Sequence, residues 1–161
     1  MNRVPLSSVA LSACLLLAAW GAGAPAAVAA DTAVVNGSAK VVTLVERATT
    51  DAVTDTGEKG DSNGDLLTWS NELFDAANAK KVGTDQGYCV RVAKGVSWEC
   101  TWTNTLADGS ITVAGSFLDK GDSTLAITGG TGAYAGARGF MRLHPRNPEA
   151  SEYDFTFEIL N

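Results

Sequence analysis

The sequence holds a single histidine, four prolines, three cysteines and fewer cations than anions, with 12 Lys and Arg against 18 Asp and Glu. Each shortage excludes something. One histidine rules out zinc sites built from His pairs and leaves a Ser/His or Cys/His relay dependent on His144 alone. A formal charge of −6 disfavours a nucleic-acid partner, which requires a basic face. No amphipathic helical period is evident, and the alanines that would favour one are concentrated in the first thirty residues and in the weak segment Asp75 to Lys81, where one short turn is possible. After the first thirty residues no stretch is apolar enough to span a bilayer, so no membrane span is expected.

Residues 1–30 read as a secretory leader. Met1-Asn2-Arg3 is a short cationic start, Val9 to Trp20 is apolar, and Ala27-Val28-Ala29-Ala30 supplies the small residues a signal peptidase accepts, with cleavage after Ala29 or Ala30. Leu11-Ser12-Ala13-Cys14 is the alternative, a lipoprotein box, although the apolar core follows Cys14 instead of preceding it. Secretion is therefore the expected localisation, and residues 31–161 form one domain. Cys89 and Cys100 are then its two cysteines, and a disulfide is expected in an oxidising compartment. If Lys94-Gly95 is a two-residue hairpin turn, 93 pairs with 96 and Cys89 falls opposite Cys100 on the same face. Two reduced thiols are the alternative, with nothing cationic nearby to activate either.

What is abundant is glycine, 17 residues of it, together with alternating apolar segments. Val34 to Val45, Leu66 to Phe74, Tyr88 to Val92, Ser97 to Thr103, Ser110 to Phe117, Thr124 to Thr128, Gly139 to Leu143 and Tyr153 to Ile159 are strand candidates. Asp108-Gly109, Lys120-Gly121-Asp122, Gly129-Gly130-Thr131-Gly132 and the Pro-flanked stretch at His144 read as turns. About eight strands without helices predict an all-β sandwich or closed antiparallel barrel, closure being the simpler way to remove edges. Alternation groups Tyr153, Phe155, Phe157 and Ile159 on one face, Trp98, Cys100 and Trp102 on another, and Leu67, Trp69, Asn71 and Leu73 on a third. Asn71 is the anomaly, a polar amide in an apolar stripe. It must bridge strands or face a cavity where water or a ligand completes it.

Three smaller signals are weak. Asp61-Ser62-Asn63-Gly64-Asp65 echoes a calcium loop with the glycine misplaced and no distal Glu, so no metal site is expected. The Gly129–Gly132 run lacks the Lys and the helix of a phosphate cradle. Arg138 and Arg142 share a strand face and are expected to pair with acids on a neighbouring strand.

The run from Leu125-Ala126-Ile127-Thr128-Gly129-Gly130-Thr131-Gly132 through Ala133-Tyr134-Ala135-Gly136-Ala137-Arg138-Gly139 resembles the signature of plant allene oxide cyclases and, more loosely, dirigent proteins. Upstream, the stretch from Gly64 to Asp75, Lys81-Val82-Gly83, Gly87-Tyr88-Cys89-Val90 and Gly109 to Leu118 follow in the same order and near-spacing, so the resemblance covers about residues 60 to 160. It implies an eight-stranded antiparallel β-barrel, usually a homotrimer, with an apolar cavity and neither metal nor organic cofactor. Asn71 matches an Asn that positions a water on the substrate oxygen. Trp69, Cys89, Trp98 and Phe117 match cavity-lining positions, and Trp102 shares the face of Trp98. In two respects the chain departs from that family. The acidic residue of the first strand would fall near Thr43, with Glu46 on the opposite face by strand parity, and Cys100 stands where the family has a small residue, which ties Cys89 into a disulfide.

These readings predict a cofactor-free cyclase or isomerase that folds a hydrophobic polyene, polyketide or oxylipin-like intermediate for ring closure. Asn71 would donate a hydrogen bond to a developing oxyanion and the tryptophans would shape the substrate. The plant reaction itself is not expected without the first-strand carboxylate. The alternatives are a non-catalytic, dirigent-like binding and steering protein, and a secreted barrel whose core is filled by Trp98 and Trp102.

Overall fold

A computed structural model describes residues 39–160. The leader, including Cys14, and the segment 31–38, which holds the start of the first expected strand, lie outside the described residues. Nine strand segments follow one another: β1 (Lys40–Arg47), β2 (Ala52–Thr54), β3 (Leu66–Asp75), β4 (Lys81–Ala93), β5 (Ser97–Leu106), β6 (Gly109–Leu118), β7 (Ser123–Gly132), β8 (Arg138–Pro145) and β9 (Glu152–Leu160). Among the described residues there is no helix, and so none long and apolar enough to cross a membrane. Each strand from β3 to β9 pairs antiparallel with the next, β9 pairs with β1, and β1 pairs with β3, which closes the barrel.

The nine segments make eight strands. Arg47 pairs with Glu72 and, after a four-residue interval, Ala52 pairs with Thr68, opposite an interval of only three on β3. β2 is therefore the continuation of β1 beyond a one-residue bulge, the device that bends a strand and re-aims its side chains.

The interior follows the expected alternation. Trp98, Cys100 and Trp102 of β5 and Tyr153, Phe155, Phe157 and Ile159 of β9 are all buried in one core, joined by Leu73, Ile111, Val113, Leu125 and Met141. Val42 and Leu44, whose side could not be assigned from sequence, pack inward on the same core. Gly87 has a local reason. A β-carbon there would stand 2.3 Å from that of Trp102 directly across the strand pair, so the missing side chain lets the indole lie flat inside the wall.

Two local readings need correction, the length of one turn and the place of another. The β4–β5 turn is three residues long, 94–96, and the additional residue is matched by a bulge at Val92, so Ala93 pairs with Ser97 while Cys89 still faces Cys100. Their disulfide is formed and is compatible with an extracellular location. The glycines at 129, 130 and 132 continue β7, paired to β6, and the turn follows at 133–136. The acidic run at 61–65 is a polar clasp: the Asp65 carboxylate accepts from the backbone N–H of Thr56 and of Ser62 and from the Ser62 hydroxyl, which holds it below the usual carboxylate range.

Candidate functional site

The bulge between β1 and β2 is built around Asn71. Its Oδ1 accepts from Thr49 N, Thr50 N and the Thr50 hydroxyl at 2.9–3.0 Å, and its Nδ2 donates to Glu46 Oε1 at 2.9 Å and Asp51 Oδ1 at 2.7 Å. The buried amide is thus fully satisfied by the chain itself. Both of its N–H groups are committed, so the donor expected for a substrate oxyanion is engaged with two carboxyl groups instead.

Glu46 is the residue that the sequence reading misplaced. It lies on the inward face with Val42 and Leu44, is only 5% exposed, and lines the central cavity. The first-strand carboxyl expected to be missing is present. Burial pushes its pKa well above the usual range, reinforced by the neighbouring Asp85 and offset in part by the Asn71 hydrogen bond. Asp85, on β4, is completely buried and acts on Glu46 through its charge. Burial raises it to about 6, against the lowering effect of the Trp69 indole N–H, which donates to Asp85 Oδ2 at 2.8 Å. Two carboxyl groups buried together resist ionising, and both are held above the usual carboxylate range.

Above this pair lies a cavity of about 30 Å³, room for about one water molecule. Trp69, Trp102, Phe117, Tyr153 and Phe155 supply its aromatic lining, Leu67, Leu143 and the Cys89–Cys100 bridge its other apolar surface, and Glu46 and Asp51 its polar edge. The indoles of Trp69 and Trp102 meet edge to face at 5.6 Å, and Phe117 meets Tyr153 in the same way at 6.0 Å. Burial, with the charges of Glu46 and Asp51, raises the Tyr153 phenol to about 12, so it stays protonated. Near the cavity, three buried polar atoms among the described residues have no hydrogen-bond partner in the protein: Asp85 Oδ1, Trp102 Nε1 and Asn104 Oδ1. Asp85 and Asn104 face each other directly across β4 and β5, two rungs from Trp102 and on the same face.

Of the expected pocket residues, Trp69, Cys89, Trp102 and Phe117 surround this cavity and Asn71 sits behind its carboxyl edge. Trp98 does not line it. Its ring lies under the Arg91 guanidinium, 3.9 Å from centroid to carbon, and walls a surface groove of about 340 Å³ at the barrel mouth. Glu46, Asp51 and Asp85 complete the site and were not among the expected residues. His144 is exposed and contacts Asp122, Arg142 pairs with Glu158 at 2.9 Å, and no cluster fit to hold a metal ion exists among the described residues.

Residues 41–157 match the family model for an allene oxide cyclase barrel-like domain. The chain belongs to that family. Among solved structures, a pyocyanin demethylase is similar at 28% identity and a TM-score of 0.63, covering 72% of this chain and 98% of that one. AbnU, an exo-specific intermolecular Diels-Alderase, aligns at 16% identity and a TM-score of 0.63, over 78% of this chain and 100% of its own. A pterocarpan synthase dirigent protein aligns at 16% identity and a TM-score of 0.60, over 76% and 96%. The two 16% matches speak for the fold alone.

Proposed function

We propose that this family member is a secreted cyclase or isomerase of a hydrophobic small molecule, using its own side chains as acid and base. One observation carries the reading: a buried carboxyl, Glu46, faces an aromatic-walled cavity with a second buried carboxyl, Asp85, behind it, and burial raises the pKa of both. An acid kept protonated near neutral pH by desolvation is poised for general acid catalysis.

In this scheme Glu46 gives its proton to a heteroatom or double bond of the substrate. The electrons of the reacting bond redistribute, and the resulting Glu46 carboxylate takes a proton from a neighbouring position, so product and substrate have the same composition. Asn71 acts as a positioning residue: its amide N–H steadies the carboxylate and its carbonyl oxygen holds the bulge that carries Asp51. The aromatic walls hold one conformer, and orientation of that kind contributes up to roughly 7–11 kcal/mol in favourable cases. A cavity of about 30 Å³ admits only one small group of the substrate, so the half-buried Trp69 and Phe117 must move to admit more. Similarity at 28% identity to a protein named as a pyocyanin demethylase supports a small molecule as the ligand.

The small cavity also favours a second reading, a barrel with a nearly filled core that binds or steers without chemistry. A screen of conjugated polyenes and polyketides, followed by chromatography for products of unchanged mass, separates the two. The enzyme reading expects conversion that falls about 10²- to 10⁴-fold in Glu46→Gln. Binding without conversion, or conversion indifferent to Glu46→Gln, would establish the other.

A further inference from the structure

The chemical class of the ligand follows from what the cavity lacks. Its lining carries the carboxyl groups of Glu46 and Asp51 beside Trp69, Trp102, Tyr153 and Phe155, and includes no Lys, Arg or His. The hydrogen bonds that reach the acids come from neutral groups, the Asn71 amide and the Trp69 indole. The cations packed nearby are already engaged. Arg91 stands at the mouth between Asp61 and Asp119 and over Trp98, and Arg47 is on the outer face of β1, over Phe74 and hydrogen-bonded to Asn78.

Aromatic faces and carboxylates attract the same partner. Each ring presents negative charge to whatever lies over it, and a cation seated beside a carboxyl that burial keeps protonated favours its ionised form and so gains a counter-ion. The mouth repeats the bias, since the groove walled by Val53 and Trp98 also carries Asp55, Asp61 and Asp65, with Arg91 its single cation. A ligand bearing a carboxylate would pass the acids of the mouth and meet Asp51, with no cation in the cavity lining to receive it. We propose that the cavity receives the positively charged nitrogen group of an apolar organic cation, seated by Glu46, Asp51 and the surrounding rings, while its apolar body lies along the Val53–Trp98 groove. The volume requires head-first insertion, since about 30 Å³ holds one small group and about 340 Å³ is available at the mouth. Groove and cavity adjoin, because Val53 is the cross-strand partner of Leu67 and Trp98 that of Phe117.

This proposal rests on the site assigned above, and its test distinguishes the failure of either. N-methylacridinium and anthracene-9-carboxylate share a ring system and differ in the sign of their charge. Each is titrated into the purified chain at pH 7.5, with calorimetry and tryptophan fluorescence as readouts. The expected result is one site that binds the cation at least about tenfold more tightly than the anion. Asp51→Asn and Glu46→Gln should each weaken the cation about five- to tenfold and leave the anion unchanged or tighter. Asp51 is exposed, and Gln keeps a hydrogen-bonding side chain at 46, so both variants should melt near the parent temperature. If the anion binds equally well or better and these substitutions alter its affinity, the site stands and the cation proposal falls. If neither probe binds, or both substitutions leave binding unchanged, the proposal and the site assignment fall together.

Discussion

Two groups of buried charge sit in the upper half of the barrel, and the chain treats them in opposite ways. Arg91, with a side chain 9% exposed, is held by Asp61 at 2.8 Å and by Asp119, stacks on Trp98, and lies where Gly64 N donates to its carbonyl oxygen and its N–H donates to the carbonyl oxygen of Asp65. There the buried charge is paired, and the pairing fastens the 55–65 segment across the strand end. Glu46 and Asp85 bury two acids against neutral amide and indole donors, and both are pushed upward in pKa. The chain therefore can neutralise a buried charge and does not do so beside its cavity. An imbalance maintained against stability is the physical mark of a working site.

Substitutions that upset each balance should differ in sign. The largest loss is expected for Arg91→Met, which leaves Asp61 and Asp119 facing an apolar chain. Because both acids are partly exposed, the cost is about 3 kcal/mol in urea unfolding, at the low end for a broken buried pair. A loss below 1 kcal/mol would show that the segment is fastened elsewhere. Asn71→Leu comes next, at about 2–3 kcal/mol, since it strands two carboxyl groups and three donors of the bulge.

Then comes pH. Both acids have folded pKa values raised above their unfolded ones, so the native state keeps protons that the unfolded chain releases. Stability should be full near pH 4 and fall as pH rises through about 6, the value for Asp85, with a further fall toward the still higher range of Glu46. The share of Asp85 is on the order of 2–3 kcal/mol. Asp85→Asn removes that slope and should stabilise the chain by about 1–2 kcal/mol at pH 8, the reverse of Arg91→Met. Urea midpoints across pH 4–8 would show it, and an unchanged slope would place the buried proton elsewhere. The smallest effect belongs to Asp51→Asn, expected to leave stability within about 0.5 kcal/mol. It should lower the Glu46 titration midpoint seen by carboxyl carbon NMR, because Asp51 contributes to the raised value.

The barrel was readable because its information is local. A period of two places Trp98, Cys100 and Trp102, or the aromatics of β9, on one side without knowledge of any partner strand. The cross-strand cysteine pair survived a wrong turn length because the bulge at Val92 absorbed the extra residue. Glu46 was hidden by β1 itself. Val45, between Leu44 and Glu46, is fully buried although it faces outward, because Phe74 lies directly across from it on the same face, beneath Arg47. The strand therefore shows no alternation from which to assign a side. Asp85 stood between Gly83 and Gly87, two positions without side chains to mark a stripe, although counting back from Cys89 would have placed it inside. β2 carries no pattern, since all three of its residues are exposed.

The split first strand has a further consequence for traffic. Below the bulge, β1 is tied on both sides, to β9 and to β3, and the wall is continuous. Above it, β2 is tied only to β3, so between β2 and the start of β9 the wall has a seam with no ladder across it. A barrel that is a cylinder at one end and a slit collar at the other can widen at its upper rim by bending three residues. Under the proposed function, a molecule entering toward Glu46 at that rim would meet side chains and cross no strand pairing, beside a lower half laddered on both sides.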